Sequence, residues 1–263
     1  MNFICRPGSI ESGFFCAHAE VSAKERSNMK QQFETYTQED FDVWKTLFER
    51  QVVNLEDKAC KEYLTALEQM RDVLYPDRIA EFEQLNDWFE TRTSWKMYCV
   101  PGLIPVDEFF ELLSMKQFCS STWLRAMSQL DYLEEPDMFH DVFGHIPLLS
   151  NKVFSDFIHE FGKLGVKNKN NEKRVIQLQR LYWFTIEFGL IEQNGPKVFG
   201  AGIASSFGES IACLEPNTER VPFDLDEILE TYFETDKIQT KYFVIESMEQ
   251  LYNAIIELKE RWK

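Results

Sequence analysis

Apolar residues recur at helical spacing along most of this chain. Phe41, Trp44, Leu47 and Phe48 lie on one face of a predicted helix, and Thr37 stands at the position of its N-cap. The same period predicts helices in residues 38–70, 77–93, 118–130, 135–150, 151–165 and 175–191, from about residue 225, and in a last segment up to residue 263. We therefore predict a mainly α-helical fold.

Three segments interrupt the helical pattern. Pro101, Gly102 and Pro105 break any helix in WKMYCVPGLIPVDEFF, which we interpret as a short extended segment with a turn. The run YFVIES is typical of a strand. Three glycines fall within nine residues of GAGIASSFGE, and this density indicates tight backbone turns near a site. The β content is therefore predicted to be small.

The chain is predicted to form one large domain. Residues 1–30 show no sustained period, so we interpret them as a loose extension before a single domain that covers residues 31–263. A chain of 263 residues that is 44% hydrophobic and 14% aromatic can bury a sizeable core. We find no internal repeat and no low-complexity segment.

Composition narrows the classes of partner. A formal charge of -16 and an isoelectric point near 4.8 disfavour binding to nucleic acid or to an anionic membrane surface, so a small-molecule ligand is expected. The six cysteines are scattered with no C-x-x-C pair, which indicates reduced thiols and a cytoplasmic location. No apolar run approaches the roughly 18 residues that a membrane span needs.

Two of the four histidines lie in the apolar stretch EPDMFHDVFGHIPLLS. His140 and His145 are five positions apart, about 140° around a regular α-helix, whereas the zinc peptidase pattern H-E-x-x-H needs a spacing of four. The two rings converge if the helix contains a π-bulge, or if it ends at Gly144 and leaves His145 on the following turn. Either arrangement suits a site that is open on one side.

Glu187 stands among aromatic and aliphatic residues in LYWFTIEFGL. A buried carboxylate needs a partner, which would be either a metal ion or an arginine such as Arg180 or Arg125. With His140 and His145 it completes a set of two imidazoles and one carboxylate, which suits Fe(II) in oxygen chemistry or Zn(II) in a hydrolase.

Two other metal sites stay open from the residues alone. The pattern D-x-x-H occurs twice, as Asp137 with His140 and Asp156 with His159, and similar pairs occur in di-iron helical bundles. The remaining alternative is a helical module without enzymatic activity whose metal is structural.

The motifs EPDMFHDVFGHIPLLS, LYWFTIEFGL and GAGIASSFGE occur here in the order and at about the spacings of one known family. The chain resembles the pterin-dependent aromatic amino acid hydroxylases over about residues 37–257, and most of all their bacterial phenylalanine-hydroxylating members. This resemblance implies the family's catalytic-domain fold, a helical basket with a small amount of β. It also implies a monooxygenase that converts L-phenylalanine to L-tyrosine with Fe(II), tetrahydrobiopterin and O2. By the same resemblance, His140, His145 and Glu187 are the iron ligands.

The resemblance also assigns residues to the pterin. Asp141 stands where many members of the family have glutamate, so the shorter acid would reach the pterin through water. Phe109 would stack on the pterin ring, while backbone groups of the Pro/Gly loop meet its polar edge. The complete set is Val100, Gly102, Leu103, Ile104, Phe109 and Asp141.

For the amino acid substrate, the resemblance assigns Arg125 to the carboxylate, a task that suits a planar guanidinium. Leu133 stands where animal members tend to have a hydroxyl, and Val244 stands where tyrosine-using members tend to have an acid. An apolar Val244 favours phenylalanine over tyrosine, although tyrosine and tryptophan remain alternative substrates. The complete set is Arg125, Leu133, Pro136, Trp183, Phe188, Ser205 and Val244.

The same comparison predicts the assembly. The chain has no room for the regulatory domain of animal members and no long heptad tail, so we expect a monomer whose activity does not depend on residues 1–28.

Overall fold

The fold consists of ten α-helices, two π-helices and six short strands within the residues that the computed structural model describes, which are 29–131, 133, 135–235 and 237–263. The predicted N-terminal extension lies outside the described residues, apart from Met29 and Lys30. The α-helices are α1 (Gln38–Leu55), α2 (Lys61–Met70), α3 (Phe82–Glu90), α4 (Val106–Ser114), α5 (Lys152–Asn168), α6 (Glu172–Tyr182), α7 (Ala201–Ala204), α8 (Phe207–Ala212), α9 (Leu225–Glu230) and α10 (Met248–Arg261). The prediction of a mainly helical fold is confirmed.

Helix α1 begins where the sequence predicts. The Thr37 side chain accepts a hydrogen bond from the Asp40 amide, and the Asp40 carboxylate accepts one from the Thr37 amide at 2.7 Å, which completes a capping box. The helix buries Trp44 and Phe48, as its apolar face requires.

The β structure is limited to two small sheets. Strands β1 (Lys96–Cys99) and β2 (Gln117–Ser120) pair in parallel. The second sheet has the order β4-β3-β6-β5, in which only the β3–β4 pair is antiparallel. Its strands are β3 (Leu190–Glu192), β4 (Pro196–Val198), β5 (Glu219–Pro222) and β6 (Lys241–Ile245).

Two helix predictions are wrong, one for its whole segment and one at its end. Residues 118–130 are not a helix, because they contain most of β2, extended backbone and a single 3₁₀ turn at Met127–Gln129. The helix predicted over residues 175–191 stops at Glu187, and the chain then enters β3. Among the described helices, none is both long enough and apolar enough to span a membrane.

Two π-helices lie at the centre of the fold, at His140–His145 and Trp183–Glu187. An aromatic cluster joins the first of them to α1: the rings of Phe139 and Phe143 stack with centroids 4.8 Å apart, and Phe48 meets Phe143 edge-on at 5.1 Å. The Tyr63 hydroxyl of α2 donates to the Phe143 carbonyl at 2.6 Å. The first π-helix is therefore held from behind by α1 and α2.

Candidate active site

The side chains of His140, His145 and Glu187 converge in one buried cluster. His145 Nε2 lies 3.1 Å from Glu187 Oε1 and 3.2 Å from His140 Nε2, and His140 Nε2 lies 3.6 Å from Glu187 Oε2. Two ligand atoms about 2.1 Å from a metal ion and at right angles are about 3.0 Å apart. The three side chains are therefore spaced as ligands on one face of a metal ion, and they form the one group of three or more such residues within the described part of the chain.

A π-helix brings the two histidines to the same side. Its hydrogen bonds run from residue i to residue i+5, so residues five apart lie one turn above each other. The π-helix at His140–His145 therefore confirms the π-bulge interpretation of the histidine spacing and excludes a helix end at Gly144. Glu187 is the last residue of the second π-helix. Two rare local structures thus create one site.

Hydrogen bonds fix the tautomer of His140. The Ser205 hydroxyl donates to the Ala201 carbonyl at 2.8 Å, so its oxygen accepts from His140 Nδ1–H at 2.9 Å. That tautomer leaves the Nε2 lone pair directed at the other two ligands. Burial lowers the pKa of His140 to about 4, so the ring is neutral near pH 7 and can bind a cation.

Glu187 is ionised although it is buried. Burial alone would raise its pKa, but the adjacent His145 and His140 and a hydrogen bond from Tyr182 hold the pKa below its usual value. The two proposed arginine partners lie elsewhere: Arg125 pairs with Asp137, and Arg180 donates to the Leu229 carbonyl at 2.7 Å. The ion-pair alternative for Glu187 is therefore wrong.

Asp137 links the metal cluster to Arg125. Its two carboxylate oxygens accept from Arg125 Nε and Nη2 at 2.8 Å each, and both side chains are buried. Asp137 Oδ1 also accepts from the His140 amide at 3.0 Å. Burial raises the pKa of Asp137, but Arg125 outweighs burial and the net shift is downward. One carboxylate thus sets both the start of the first π-helix and the direction of the guanidinium.

The metal cluster opens into a cleft, which we call the first cleft. Phe118, Cys119 and Tyr182 line it beside the three ligands. All six residues that the resemblance assigns to the pterin line it as well: Val100, Gly102, Leu103, Ile104, Phe109 and Asp141.

Two of these pterin residues have defined environments. The ring of Phe109 meets that of Tyr182 edge-on at 5.3 Å, which fixes its orientation in the cleft wall. The Asp141 carboxylate accepts from the Ser121 amide at 3.1 Å, and burial raises the pKa of Asp141 to about 7. An aromatic face and an acid are therefore both available to a flat heterocycle in this cleft.

A second cleft lies on the other side of Ser205 and is lined by four of the seven residues assigned to the substrate: Arg125, Leu133, Phe188 and Ser205. Arg125 has five N–H groups. Two of them, Nε–H and one N–H of Nη2, donate to the Asp137 carboxylate, and one N–H of Nη1 makes a long contact of 3.4 Å with the Leu130 carbonyl. Among the described residues, the second N–H on each terminal nitrogen has no acceptor, so both terminal nitrogens keep a donor for a carboxylate bound end-on.

The other three substrate residues occupy different places. Pro136 lines the first cleft. Trp183 stacks on Phe233 with centroids 4.6 Å apart, packs on Phe188 at 4.4 Å, and lies behind the wall of the second cleft. Val244 is in β6, paired with Leu190, and neither it nor Trp183 is among the described residues that line the two clefts.

The di-iron alternative finds no second metal site among the described residues. His159 Nε2 lies 3.0 Å from the Ser114 carbonyl, and Asp156 pairs with Lys152 near the surface. Asp137 is occupied by Arg125. The D-x-x-H pattern therefore does not mark a pair of metal ligands in this fold.

The sequence does not predict the roles that three residues have in the site. It offers Asp137 only as a metal ligand in a D-x-x-H pair, although an acid three residues before His140 is also a helix-start signal. Tyr182 is hidden in an aromatic run. Glu209 lies three residues after Ser206, the spacing of an exposed capping box, yet its carboxylate is buried at the second cleft.

Comparisons with known proteins identify relatives over nearly the whole chain. A family model for biopterin-dependent aromatic amino acid hydroxylases matches residues 16–262. The phenylalanine-4-hydroxylase of Chromobacterium violaceum is 46% identical over 228 residues, which are 86% of this chain and 76% of that protein. The phenylalanine-4-hydroxylase of Caulobacter vibrioides is 42% identical over 223 residues, which are 84% of this chain and 75% of that protein.

A solved structure matches the fold as well. The Chromobacterium violaceum phenylalanine hydroxylase with bound iron(III) and the oxidised cofactor 7,8-dihydrobiopterin has a TM-score of 0.85 and 45% sequence identity, and the match covers 90% of this chain and 86% of that chain.

Proposed function

Because the chain belongs to the family of biopterin-dependent aromatic amino acid hydroxylases, we propose that it hydroxylates the ring of L-phenylalanine to give L-tyrosine, with Fe(II), tetrahydrobiopterin and O2. Its fold is the catalytic-domain fold of that family. The observation that carries the proposal is the convergence of two imidazoles and one carboxylate in the lining of a cleft with an aromatic wall.

The donor set of the cluster fits ferrous iron. His140, His145 and Glu187 would hold the ion from one face and leave three positions for other ligands. Glu187 offsets one of the two positive charges, and Ser205 keeps the His140 ring in the metal-binding tautomer. Bound Fe(II) and tetrahydrobiopterin together supply the electrons with which O2 hydroxylates an aromatic ring.

The first cleft fits the pterin. Phe109 offers a ring face, and the loop after β1 leaves backbone groups near Gly102 and Leu103 for the polar edge of the heterocycle. The Asp141 carboxylate lies on the same cleft, adjacent in sequence to His140. Its role as a water-mediated contact remains part of the proposal.

The second cleft fits the amino acid. Arg125, oriented by Asp137, would bind the substrate carboxylate with its two remaining end-on N–H groups. Phe188, supported by Trp183, offers an aromatic wall to the ring, and His140 joins the two clefts through Ser205. In this proposal the amino acid would bind in the second cleft and the pterin in the first, with the His140–Ser205 hydrogen bond between them.

We expect phenylalanine to be the preferred substrate. Val244 lines neither cleft, so the apolar side chains proposed to face the ring are Leu133 and Phe188. Neither offers a partner to a phenol, so tyrosine would leave its hydroxyl unsatisfied at a cost of about 1–3 kcal/mol, or roughly 10- to 100-fold in kcat/KM. Competition assays with phenylalanine, tyrosine and tryptophan, Fe(II) and reduced pterin test this order and the proposed function together. Absence of pterin-dependent tyrosine formation would reject the function, while a higher kcat/KM for tyrosine or tryptophan would reject the substrate.

We further propose that the catalytic unit is the single domain of residues 31–263, acting as a monomer in the cytoplasm. The four cysteines among the described residues are free thiols, which supports a reducing compartment. Light scattering should give the mass of one chain, and a chain that starts at Met29 should keep its activity. A stable tetramer, or inactivity of the shortened chain, would contradict the corresponding part of the proposal.

A further inference from the structure

The second cleft contains a buried carboxylate that the proposed function does not use. Glu209, in α8, is only 6% exposed and lines this cleft together with Arg125. A buried carboxylate without a cation is costly, since its attraction to water is lost and nothing replaces it. Within the described part of the chain, Glu209 forms no ion pair. No cation among the described residues offsets its charge, and burial raises the pKa of this carboxyl, so a cationic group on a ligand would stabilise the ionised form.

The hydrogen bonds of Glu209 leave one oxygen for a ligand. Glu209 Oε1 accepts from the Tyr242 hydroxyl and from the Gln239 amide, the latter at 3.1 Å. Oε2 accepts no hydrogen bond from the described residues and is not among the side-chain atoms sealed from solvent without a partner. The carboxylate is thus held in position by neutral donors on one oxygen, with the other directed to the cleft that it lines.

The neighbouring cation of the cleft is engaged elsewhere. The Lys237 ammonium pairs with both oxygens of the Glu234 carboxylate at 3.0 Å. Gln239, which holds Glu209 through its amide, also accepts from Trp183 Nε1 at 3.0 Å through its side chain. The carboxylate is therefore connected to the wall behind the proposed aromatic pocket and not to a surface charge.

The wall of the second cleft contains two cationic and two anionic residues. Lys237 and Asp131 pair with Glu234 and Arg50, so the two buried charged groups of the wall are Arg125 and Glu209. A free amino acid is a zwitterion with the complementary pair of charges. We propose that Glu209 binds the α-ammonium group of the substrate through Oε2 while Arg125 binds its carboxylate, so that the pair selects free α-amino acids over carboxylic acids that lack the ammonium. This inference rests on the proposed function for the identity of the substrate.

The test compares two ligands that differ only in the ammonium group. L-phenylalanine and 3-phenylpropanoate share the ring and the carboxylate, and their dissociation constants can be measured by calorimetry on the anaerobic Fe(II)-loaded chain without pterin, so that no turnover occurs. The wild type should bind phenylalanine about 10- to 100-fold more tightly than 3-phenylpropanoate, the range expected for a hydrogen bond between charged groups. Glu209→Gln, which keeps the side-chain size and an oxygen for Tyr242, should abolish most of this preference by weakening phenylalanine alone.

Two further variants separate the effect of the Glu209 charge on binding from the effect of a change in structure. Tyr242→Phe removes a hydrogen bond from the same carboxylate but leaves its charge, so it should retain the preference. If Glu209→Gln fails to fold, the ratio of the two dissociation constants in the wild type still tests the inference. Glu215→Gln removes an exposed negative charge just beyond α8 and should change neither constant.

Each result decides the inference. Equal weakening of both ligands by Glu209→Gln, no weakening of either, or a wild type that binds both ligands equally would overturn it. A wild type that forms no tyrosine from phenylalanine would instead reject the proposed function. A wild type that forms tyrosine but shows one of the former results would reject only the role of Glu209.

Discussion

Replacement of Glu187 by alanine should abolish turnover, with a loss of more than about three orders of magnitude, or roughly 4 kcal/mol of activation free energy. Glu187 supplies the one negative charge of the cluster and one of its three ligand atoms, which all lie within 4.8 Å of one another. Without it, two neutral imidazoles hold Fe(II) weakly and in no fixed orientation. Elemental analysis should give one iron per wild-type chain and little in the variant, while the helical circular dichroism spectrum stays largely unchanged.

His140→Ala and His145→Ala should behave like the Glu187 variant, and His159→Ala is the matched control. His159 belongs to the second D-x-x-H pattern, but its ring contacts the Ser114 carbonyl and lies outside the cluster. That variant should keep both iron and activity. Two irons per wild-type chain, or full activity of Glu187→Ala, would refute the mononuclear site.

The metal cluster could be predicted because its signal is local. The spacing of His140 and His145 restricts their geometry to two arrangements, and an acid in an apolar helix needs a partner. The choice of the π-helix depends on packing against Ala201, 57 residues after Gly144 in sequence. A Cβ atom on Gly144 would lie 2.8 Å from the Ala201 carbonyl, so the first π-helix and α7 approach closely only because Gly144 has no side chain.

The wrongly predicted helices show the limit of periodicity. Residues 117–120 are a strand because β1 pairs with them, and Phe118 is buried with its ring 4.9 Å from that of His145. Residues 190–192 are a strand because they pair with β4 just after them and because β6, about 50 residues later, pairs with Leu190 and Ile191. Such non-local pairing overrides the local apolar spacing and cannot be read from it.

The surroundings of the cluster were the least predictable part of the site. Asp137 and Glu209 both carry signals of helix starts, which are usually exposed positions, and in this fold both are buried. Whether an acid at such a position faces solvent or a cleft depends on what packs against its helix. For Glu209, the deciding neighbours are Gln239, just before β6, and Tyr242, within β6.

Gly202→Ala should weaken iron binding by about 10- to 100-fold, the range found when the support of a metal ligand is disturbed. A Cβ atom at this position would lie 3.1 Å from Glu187 Oε2 and 2.9 Å from the Phe188 ring, so the Glu187 carboxylate would have to move. The overpacking should also destabilise the fold by about 1–3 kcal/mol. An anaerobic Fe(II) titration and a thermal melt measure the two effects separately.

Gly208→Ala is the matched control, because it makes the same chemical change six residues later in the same glycine-rich segment. A Cβ atom there would meet nothing within 4 Å, and Gly208 lies inside α8, where alanine is favoured over glycine by about 0.5–1 kcal/mol. This variant should bind iron like the wild type and melt at an equal or higher temperature.

If Gly208→Ala lost iron as Gly202→Ala does, the flexibility of the segment would be responsible. If Gly202→Ala bound iron like the wild type, Glu187 would tolerate a side chain at position 202. The close contact is supported as the cause only if Gly202→Ala loses iron and Gly208→Ala does not.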